Sequence, residues 1–259
     1  MNEELKILAQ KTANYVSKKV KDAYSTDFIK FNNNVGLGAD GTITKYVDKL
    51  AEDAAIRYIK RSKIKVNILS EEIGFVDRAG KYTFVLDPID GTRNASRGIP
   101  FYSVSIAIGK SMISDIEYGI VKNIPTGDVY IAEKDHGAFL NNRAIGVPEL
   151  PCKELLSSLS LGKNYDKFTI SLAKKEKVRS LGSASLEMCM VAIGGLDFYV
   201  VGKEYLRVVD IAASTLILRE AGGVVTNITG KDLDMGFNLD DRTSVVAACS
   251  KDLIKEILS

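Results

Sequence analysis

Histidine is almost missing from this chain: 259 residues contain one, His136. A Ser-His-Asp triad and zinc sites that rest on several imidazoles both become hard to build. His136, between two strand-like runs and beside Gly137, reads as a loop residue. Cysteine is sparse too, with Cys152, Cys189 and Cys249 far apart and no CxxC pair. That usage predicts buried thiols in a reducing compartment. Tryptophan is absent, although Tyr, Phe, Ile, Leu and Val supply ample apolar volume. No apolar run approaches the roughly 18 residues of a membrane span. The opening MNEELKILAQ is charged and amphipathic, unlike a signal peptide. Strong charge of one sign is lacking as well: the formal net charge is +2, with Lys and Arg scattered among Asp and Glu. This predicts no nucleic-acid or membrane partner and a cytoplasmic protein. The densest basic run, Lys174–Lys177, reads as a solvated helix end. Any catalysis must therefore run on carboxylates, hydroxyls or metal.

What is present is ordinary globular material, 46% hydrophobic and 26% charged, long enough for one large domain or two modest ones. Apolar spacing predicts helices over 3–24 and through TITKYVDKLAEDAAIRYI, with a loop rich in Asn and Gly (Asn32–Gly41) between them. Short apolar runs at 66–70 and 82–86 end at Glu71 and Asp87. Runs at 102–109, 113–121 and 128–132 read as antiparallel strands. GVPELP marks a boundary, predicting an N-terminal α+β subdomain over 1–147 and a C-terminal α/β subdomain over 148–259. In the second half SSLSLG, 197–201, VVT and SVVAAC read as strands. Helices are predicted over 166–175, 184–194, 209–221 and 251–258, the third ended by Gly222-Gly223. A mixed sheet followed by alternating strands and helices predicts an α/β (α+β) fold of stacked layers.

The acids sit at strand ends. Glu71-Glu72 and Asp87 each follow an apolar run, and adjacent strand ends would bring them together. Asp87-Pro88-Ile89-Asp90-Gly91-Thr92 then turns sharply, Pro88 fixing φ and Gly91 allowing a tight bend. Like charges at about 4 Å repel by ~4 kcal/mol at an effective dielectric near 20. A bound cation is the usual remedy, and an all-oxygen ligand set selects Mg²⁺, Mn²⁺ or Ca²⁺ over zinc. Taken singly, each acid has a bland alternative: Asp-Gly is a common turn, and Asp48 and Asp210 suit helix N-termini.

The strings ILSEE, FVLDPIDGTRN and LRVVDIAAS together resemble the inositol monophosphatase superfamily, which includes fructose-1,6-bisphosphatases and nucleotide 3′-phosphatases. ITKYVDKLAED, FYSVSIAIG, GSASLEMCMVAIG and REAGG extend the resemblance over nearly the whole chain. It implies a layered αβαβα sandwich, a homodimer and a Mg²⁺-dependent phosphatase (two or three ions, Mn²⁺ substituting) acting on a small phosphorylated sugar or polyol. By motif, Glu71, Asp87 and the Ile89 carbonyl would hold the first ion, and Asp87, Asp90 and Asp210 the second. Glu71 with Asp40 or Glu72 would hold a third. Asp48 and Thr92 match the pair that activates the attacking water, and the Gly91 and Thr92 amides would cradle phosphate. Arg93 and Asn94 continue that loop. Gly182, Ser183 and Ala184 match a segment that contacts substrate hydroxyls, with Ser183 as an ordinary N-cap the alternative. Arg207 would steer a phosphate or sugar, or else form a surface ion pair.

The chain departs from the family pattern near the substrate. Val209-Asp210 replaces the usual Trp-Asp, Arg93 replaces a threonine, and Glu204 is the nearest match to an inositol-binding acid. The LRVVDIAA form looks like the archaeal-type branch, whose members commonly hydrolyse both fructose 1,6-bisphosphate and inositol phosphates. Other readings stay open. A nucleotide 3′- or 2′-phosphatase is one, although no residue cluster announces a base pocket. A non-catalytic phosphate-ligand binder is another, although every expected ligand is present. Gly36-Leu37-Gly38-Ala39-Asp40-Gly41 also matches the GxGxxG of a dinucleotide oxidoreductase. Against it, Asp40 would set a negative charge on the pyrophosphate, and nothing in that reading explains DPIDGT or Asp210.

Overall fold

A computed structural model describes residues 2–39, 41, 43–148, 154–161, 166–175 and 177–259. The chain opens with α1 (Glu3–Asp27), capped by the Asn2 side chain, and a 3₁₀ turn (Phe28–Asn32). A hairpin of β1 (Asn34–Leu37) and β2 (Ile43–Lys45) leads into α2 (Tyr46–Arg61). The larger sheet comprises β3 (Asn67–Ser70), β4 (Gly74–Val76), β5 (Thr83–Asp90), β6 (Ser103–Gly109), β7 (Tyr118–Asn123), β8 (Val129–Glu133), β9 (Ala138–Leu140) and β10 (Arg143–Ile145). A single short helix, α3 (Thr92–Ala95), lies between β5 and β6. The smaller sheet comprises β11 (Leu156–Leu159), β12 (Lys177–Arg179), β13 (Phe198–Leu206), β14 (Val224–Thr226) and β15 (Thr243–Ala248). Four helices accompany it: α4 (Lys167–Lys175), α5 (Ala184–Ala192), α6 (Val208–Glu220) and α7 (Lys251–Leu258).

The larger sheet has the order β10-β9-β8-β7-β6-β5-β3-β4, antiparallel except for β3 beside β5. The smaller has the order β12-β11-β13-β15-β14. Side-chain alternation along each strand sorts the core into layers. Ile68, Phe84, Leu86, Ile106 and Ile120 face α1 and α2, together with Val16, Val20, Ala51 and Ile59. Their neighbours Leu69, Val85, Ala107 and Val121 face the opposite way, onto α5 and α6. Tyr199, Val201, Val245 and Ala247 of the smaller sheet close over the other side of those two helices. Phe198, Val200, Val246 and Ala248 then meet Leu172 of α4 and Leu253, Ile254 and Ile257 of α7. The result is the αβαβα sandwich. α6, buried from Val208 through Leu218, has apolar residues on all sides because it lies between two sheets.

The structure differs from the sequence reading at short elements. The run 113–121 is a 3₁₀ turn (Ile113–Asp115) before β7, because the Asp115 carboxylate accepts the N–H groups of Lys110, Ser111 and Met112. The Asn- and Gly-rich loop holds the β1–β2 hairpin, so Gly36 is followed by an antiparallel strand. A dinucleotide fingerprint needs a helix there, which removes the oxidoreductase reading. Strands β4, β9, β10 and β12 have three residues each, too few for a periodic signal. Cys189 and Cys249 are buried, and Cys152 lies outside the described residues.

Two contacts set how the middle layer sits. Gly119 of β7 lies under α6, where an added Cβ would meet the Ala213 carbonyl oxygen at 2.8 Å and its Cα at 3.2 Å. Glu187 of α5, 2% exposed, turns inward. Its carboxylate accepts the Leu181 N–H at 3.0 Å, the Gly182 N–H at 3.3 Å and the Ser158 hydroxyl. Burial pushes the Glu187 carboxyl up to about 7, against those hydrogen bonds.

Gly119→Ala should push α6 off the sheet and destabilise the protein by ~1–3 kcal/mol. A melting temperature lower by several degrees in thermal unfolding checks this; an unchanged value would mean that α6 yields freely. Glu187 binds its proton more tightly folded than unfolded, so its contribution is largest at low pH and declines as pH rises from 4.5 toward 7. Urea unfolding across that range should show the wild type losing more stability than Glu187→Gln.

Candidate active site

The β5 strand carries the central carboxylates, and a register shift explains how two of them share a face. Asp87 pairs with Ser105 and Asp90 with Ser103, so three residues on β5 span what two span on β6. Asp87 has the parity of Val85 and points toward the α5–α6 layer. One extra residue then flips the alternation: Ile89 joins the α1–α2 core, and Asp90 returns to the side of Asp87. Pro88, which has no N–H to give the ladder, sits within this bulge. Gly91 follows with φ 95°, a conformation that suits glycine, and α3 starts at Thr92.

Helix N-termini supply the other acids. Asp210 is the third residue of α6, and its carboxylate accepts the N–H of Arg207, the residue before the helix, at 2.7 Å. Asp48 holds the same place in α2 and accepts the Lys45 N–H at 3.1 Å. These carboxylates therefore cap their helices, as the bland sequence reading has it, while each turns its remaining oxygen toward the site. Glu71 extends directly from the end of β3, beside β5 in the sheet.

Glu71, Asp87 and Asp210 each place a carboxylate oxygen within 4.8 Å of the others. Among the described residues one cation pairs with two of them. Arg207 reaches Glu71 Oε1 through Nη1 at 2.7 Å and Asp210 Oδ1 through Nη2 at 2.8 Å. Burial raises the Asp87 carboxyl well above its usual range, and Glu71, Asp90 and Asp210 raise it further. Burial likewise pushes Glu71 up to about 7, with Arg207 opposing. Burial works against the charge of Arg207, but Asp210 and Glu71 outweigh it and raise its pKa. Such a cluster, all oxygen and short of positive charge, fits a hard divalent cation.

Asp90 is engaged differently. It is absent from that trio, and its oxygens accept the Ser183 hydroxyl at 2.6 Å, the Ser185 N–H at 2.7 Å, the Ala184 N–H at 3.2 Å and the Ser185 hydroxyl. Burial lifts it to about 6 while Ser183 and Ser185 pull the other way. Ser183 sits at the α5 N-cap without capping through its side chain, because its hydroxyl goes to Asp90. Thr92 Oγ1 lies 2.7 Å from Asp48 Oδ1 and 3.2 Å from the Ile89 carbonyl. Burial brings Asp48 up to about 7, with the Thr92 bond lowering it.

The remaining predicted residues divide. Asn94 is buried, and its Nδ2 donates to the carbonyls of Phe101 and Leu181 at 2.7 Å each, so its amide holds two loops together. Gly182, at φ 85°, packs against it. Arg93 and Glu204 are exposed, and neither hydrogen-bonds nor ion-pairs with the carboxylates. Arg207 corrects one alternative: its side chain is 14% exposed and pairs with Glu71 and Asp210 among the acids, so its ion pairs are not at the surface. Glu72 accepts the Thr44 hydroxyl of β2, and Asp40 lies outside the described residues. Sequence reasoning missed Ser185 and Glu187, which hold the α5 turn on Asp90. Their signal was the polar pair inside an otherwise apolar helix.

The model of the inositol monophosphatase family matches residues 1–259. A fructose-1,6-bisphosphatase/inositol-1-monophosphatase of Methanothermobacter thermautotrophicus is 40% identical over 86% of this chain and 85% of its own. A bifunctional NADP phosphatase/NAD kinase of Methanococcus maripaludis is 37% identical over 97% of this chain and 48% of its own. Among solved structures, a Pyrococcus horikoshii protein with similarities to inositol-1 monophosphatase superposes with a TM-score of 0.85 at 32% identity, over 99% of this chain and 97% of that one. With fold, acidic cluster and full-length match agreeing, the chain belongs to the inositol monophosphatase family and is a phosphoric monoester hydrolase.

Proposed function

We propose that this phosphatase is Mg²⁺-dependent and hydrolyses a small sugar or polyol phosphate, inositol 1-phosphate or fructose 1,6-bisphosphate. The observation that carries the metal reading is the convergence of Glu71, Asp87 and Asp210 within 4.8 Å. Those carboxylates, with Asp90 and the Ile89 carbonyl, would hold two Mg²⁺ ions, and Mn²⁺ would substitute. Glu71 with Glu72 would hold a third. Bound there, Mg²⁺ supplies an acidified water and neutralises phosphate oxygens.

Asp48 and Thr92 prepare the attack. The Thr92 hydroxyl donates to Asp48 at 2.7 Å, which leaves its oxygen lone pairs to accept a hydrogen bond from the attacking water. Asp48, with its carboxyl lifted to about 7 by burial, is a base matched to neutral pH. The amides of Gly91 and Thr92 would bind phosphate, and the Gly182–Ala184 turn would contact substrate hydroxyls. The relatives named fructose-1,6-bisphosphatase/inositol-1-monophosphatase favour the sugar or polyol class. The NADP phosphatase relatives favour a second reading, a nucleotide 2′- or 3′-phosphate. We further propose subdomains over 1–147 and 148–259, a homodimer and a cytoplasmic location. Supporting the first, all strands of the larger sheet precede residue 147 and all of the smaller follow it. Among the described residues no helix is long and apolar enough to cross a membrane.

Phosphate release should require Mg²⁺, and the ranking of kcat/KM among inositol 1-phosphate, fructose 1,6-bisphosphate, adenosine 3′,5′-bisphosphate and NADP names the substrate class. Release of equal rate in EDTA would remove the metal reading. Asp87→Asn should lose both turnover and the rise in melting temperature caused by Mg²⁺. Thr92→Ala should lower kcat by ~10²–10⁴ while leaving Mg²⁺ affinity nearly unchanged.

A further inference from the structure

Arg207 stands where positive charge is wanted. Its guanidinium holds Glu71 Oε1 at 2.7 Å, Asp210 Oδ1 at 2.8 Å and, through Nε, Asp210 Oδ2 at 3.3 Å. Two of the three carboxylates that converge within 4.8 Å thus turn oxygens to one side chain. The placement is built in. Arg207 is the N-cap of α6, its backbone N–H is bonded to Asp210 at 2.7 Å, and its side chain is 14% exposed. A planar guanidinium spans two carboxylates better than an ammonium would. Among the described residues no other lysine or arginine ion-pairs with Glu71, Asp87, Asp90 or Asp210.

We infer that Arg207 is the resident counter-cation of the carboxylate cluster, and that its guanidinium must leave Glu71 and Asp210 for divalent ions to bind there. The reason is electrostatic. Asp210 turns both oxygens and Glu71 its Oε1 toward Arg207, and a divalent ion taking those oxygens would set two cations against each other. Without metal, Arg207 offsets the repulsion among buried acids and keeps them in place. With metal it is a competitor, so it lowers affinity while preserving the site. Release also frees the N–H donors now held by Glu71 and Asp210, so they can turn to a phosphate ester.

This inference rests on the metal reading, and the two fail differently. Mn²⁺ binding is measured on substrate-free protein by electron paramagnetic resonance, for the wild type and Arg207→Met. The expected result is tighter binding by Arg207→Met, on the order of tenfold, the scale on which neighbours of metal ligands act. Its metal-free melting temperature should fall and its gain on adding Mg²⁺ should grow. Unchanged or weaker Mn²⁺ binding by the variant overturns the counter-cation role, since a merely structural or phosphate-binding arginine would give that result. No Mn²⁺ binding by the wild type overturns the metal reading itself. If Arg207→Met fails to fold, wild-type protein carrying ¹⁵N-arginine decides the question. The Nε–H resonance missing from Arg207→Lys should shift as Mg²⁺ is added, and a resonance unmoved at saturation overturns the inference.

Discussion

Four carboxylates crowd together with one guanidinium paired to two of them, and the rest of this structure is arranged to hold them there. Glu71, Asp87, Asp90 and Asp210 repel one another, and burial makes the charges of Glu71, Asp87 and Asp90 harder to keep. Such a cluster persists only where the backbone is fixed by something stronger than the local repulsion. Here that is a stack of five layers. β3 and β5 carry Glu71, Asp87 and Asp90, and α6 carries Asp210, with Gly119 letting β7 and α6 approach closely. A one-residue bulge supplies the last adjustment, turning Asp90 to the side of Asp87.

The same groups serve stability and chemistry in different ways. Asp48 and Asp210 accept an N-cap N–H, so each earns its place as a helix-capping group as well as a candidate functional one. Asp90 is held by the start of α5, and Glu187 and Asn94 hold the turn before that helix. Hydrogen bonds thus compensate the charges that Arg207 does not reach. This division matters for function, because a metal site needs oxygens that are positioned but not all consumed.

The relatives fit this separation of parts. Proteins similar to this chain are named for fructose 1,6-bisphosphate, inositol 1-phosphate and NADP, while their family is one. A common acidic centre can process any phosphate monoester, because the reacting group is the same. Arg93 and Glu204, where the motif differs from the family's, are exposed and clear of the acids, and Asn94 is committed to the backbone. One fold can thus carry several substrate choices, because the fold alone does not name the ester.

Much of this was legible in the amino-acid sequence. Apolar periodicity located the long helices and the central strands, and the acids at the ends of ILSEE and FVLDPID named the strand ends that meet. One histidine and three scattered cysteines directed the chemistry toward carboxylates. The Asp48–Thr92 pairing, 44 residues apart, came from motif resemblance, and the structure brings the two into hydrogen-bond contact. Short strands such as β4 and β12 carried no periodic signal, because three residues cannot display one. The pairing of Arg207 with Glu71 and Asp210 was not legible, since a sequence does not say which way a helix cap points its side chain. Ser185 and Glu187 were missed for the same reason: their importance lies in contacts with Asp90 and Leu181, made only when α5 is packed. Residue types and spacing determined the layers and the kind of chemistry, which depend on local periodicity and side-chain identity. Only the tertiary structure decided which charges face each other and which cation stands between them, because that depends on the packing of distant segments.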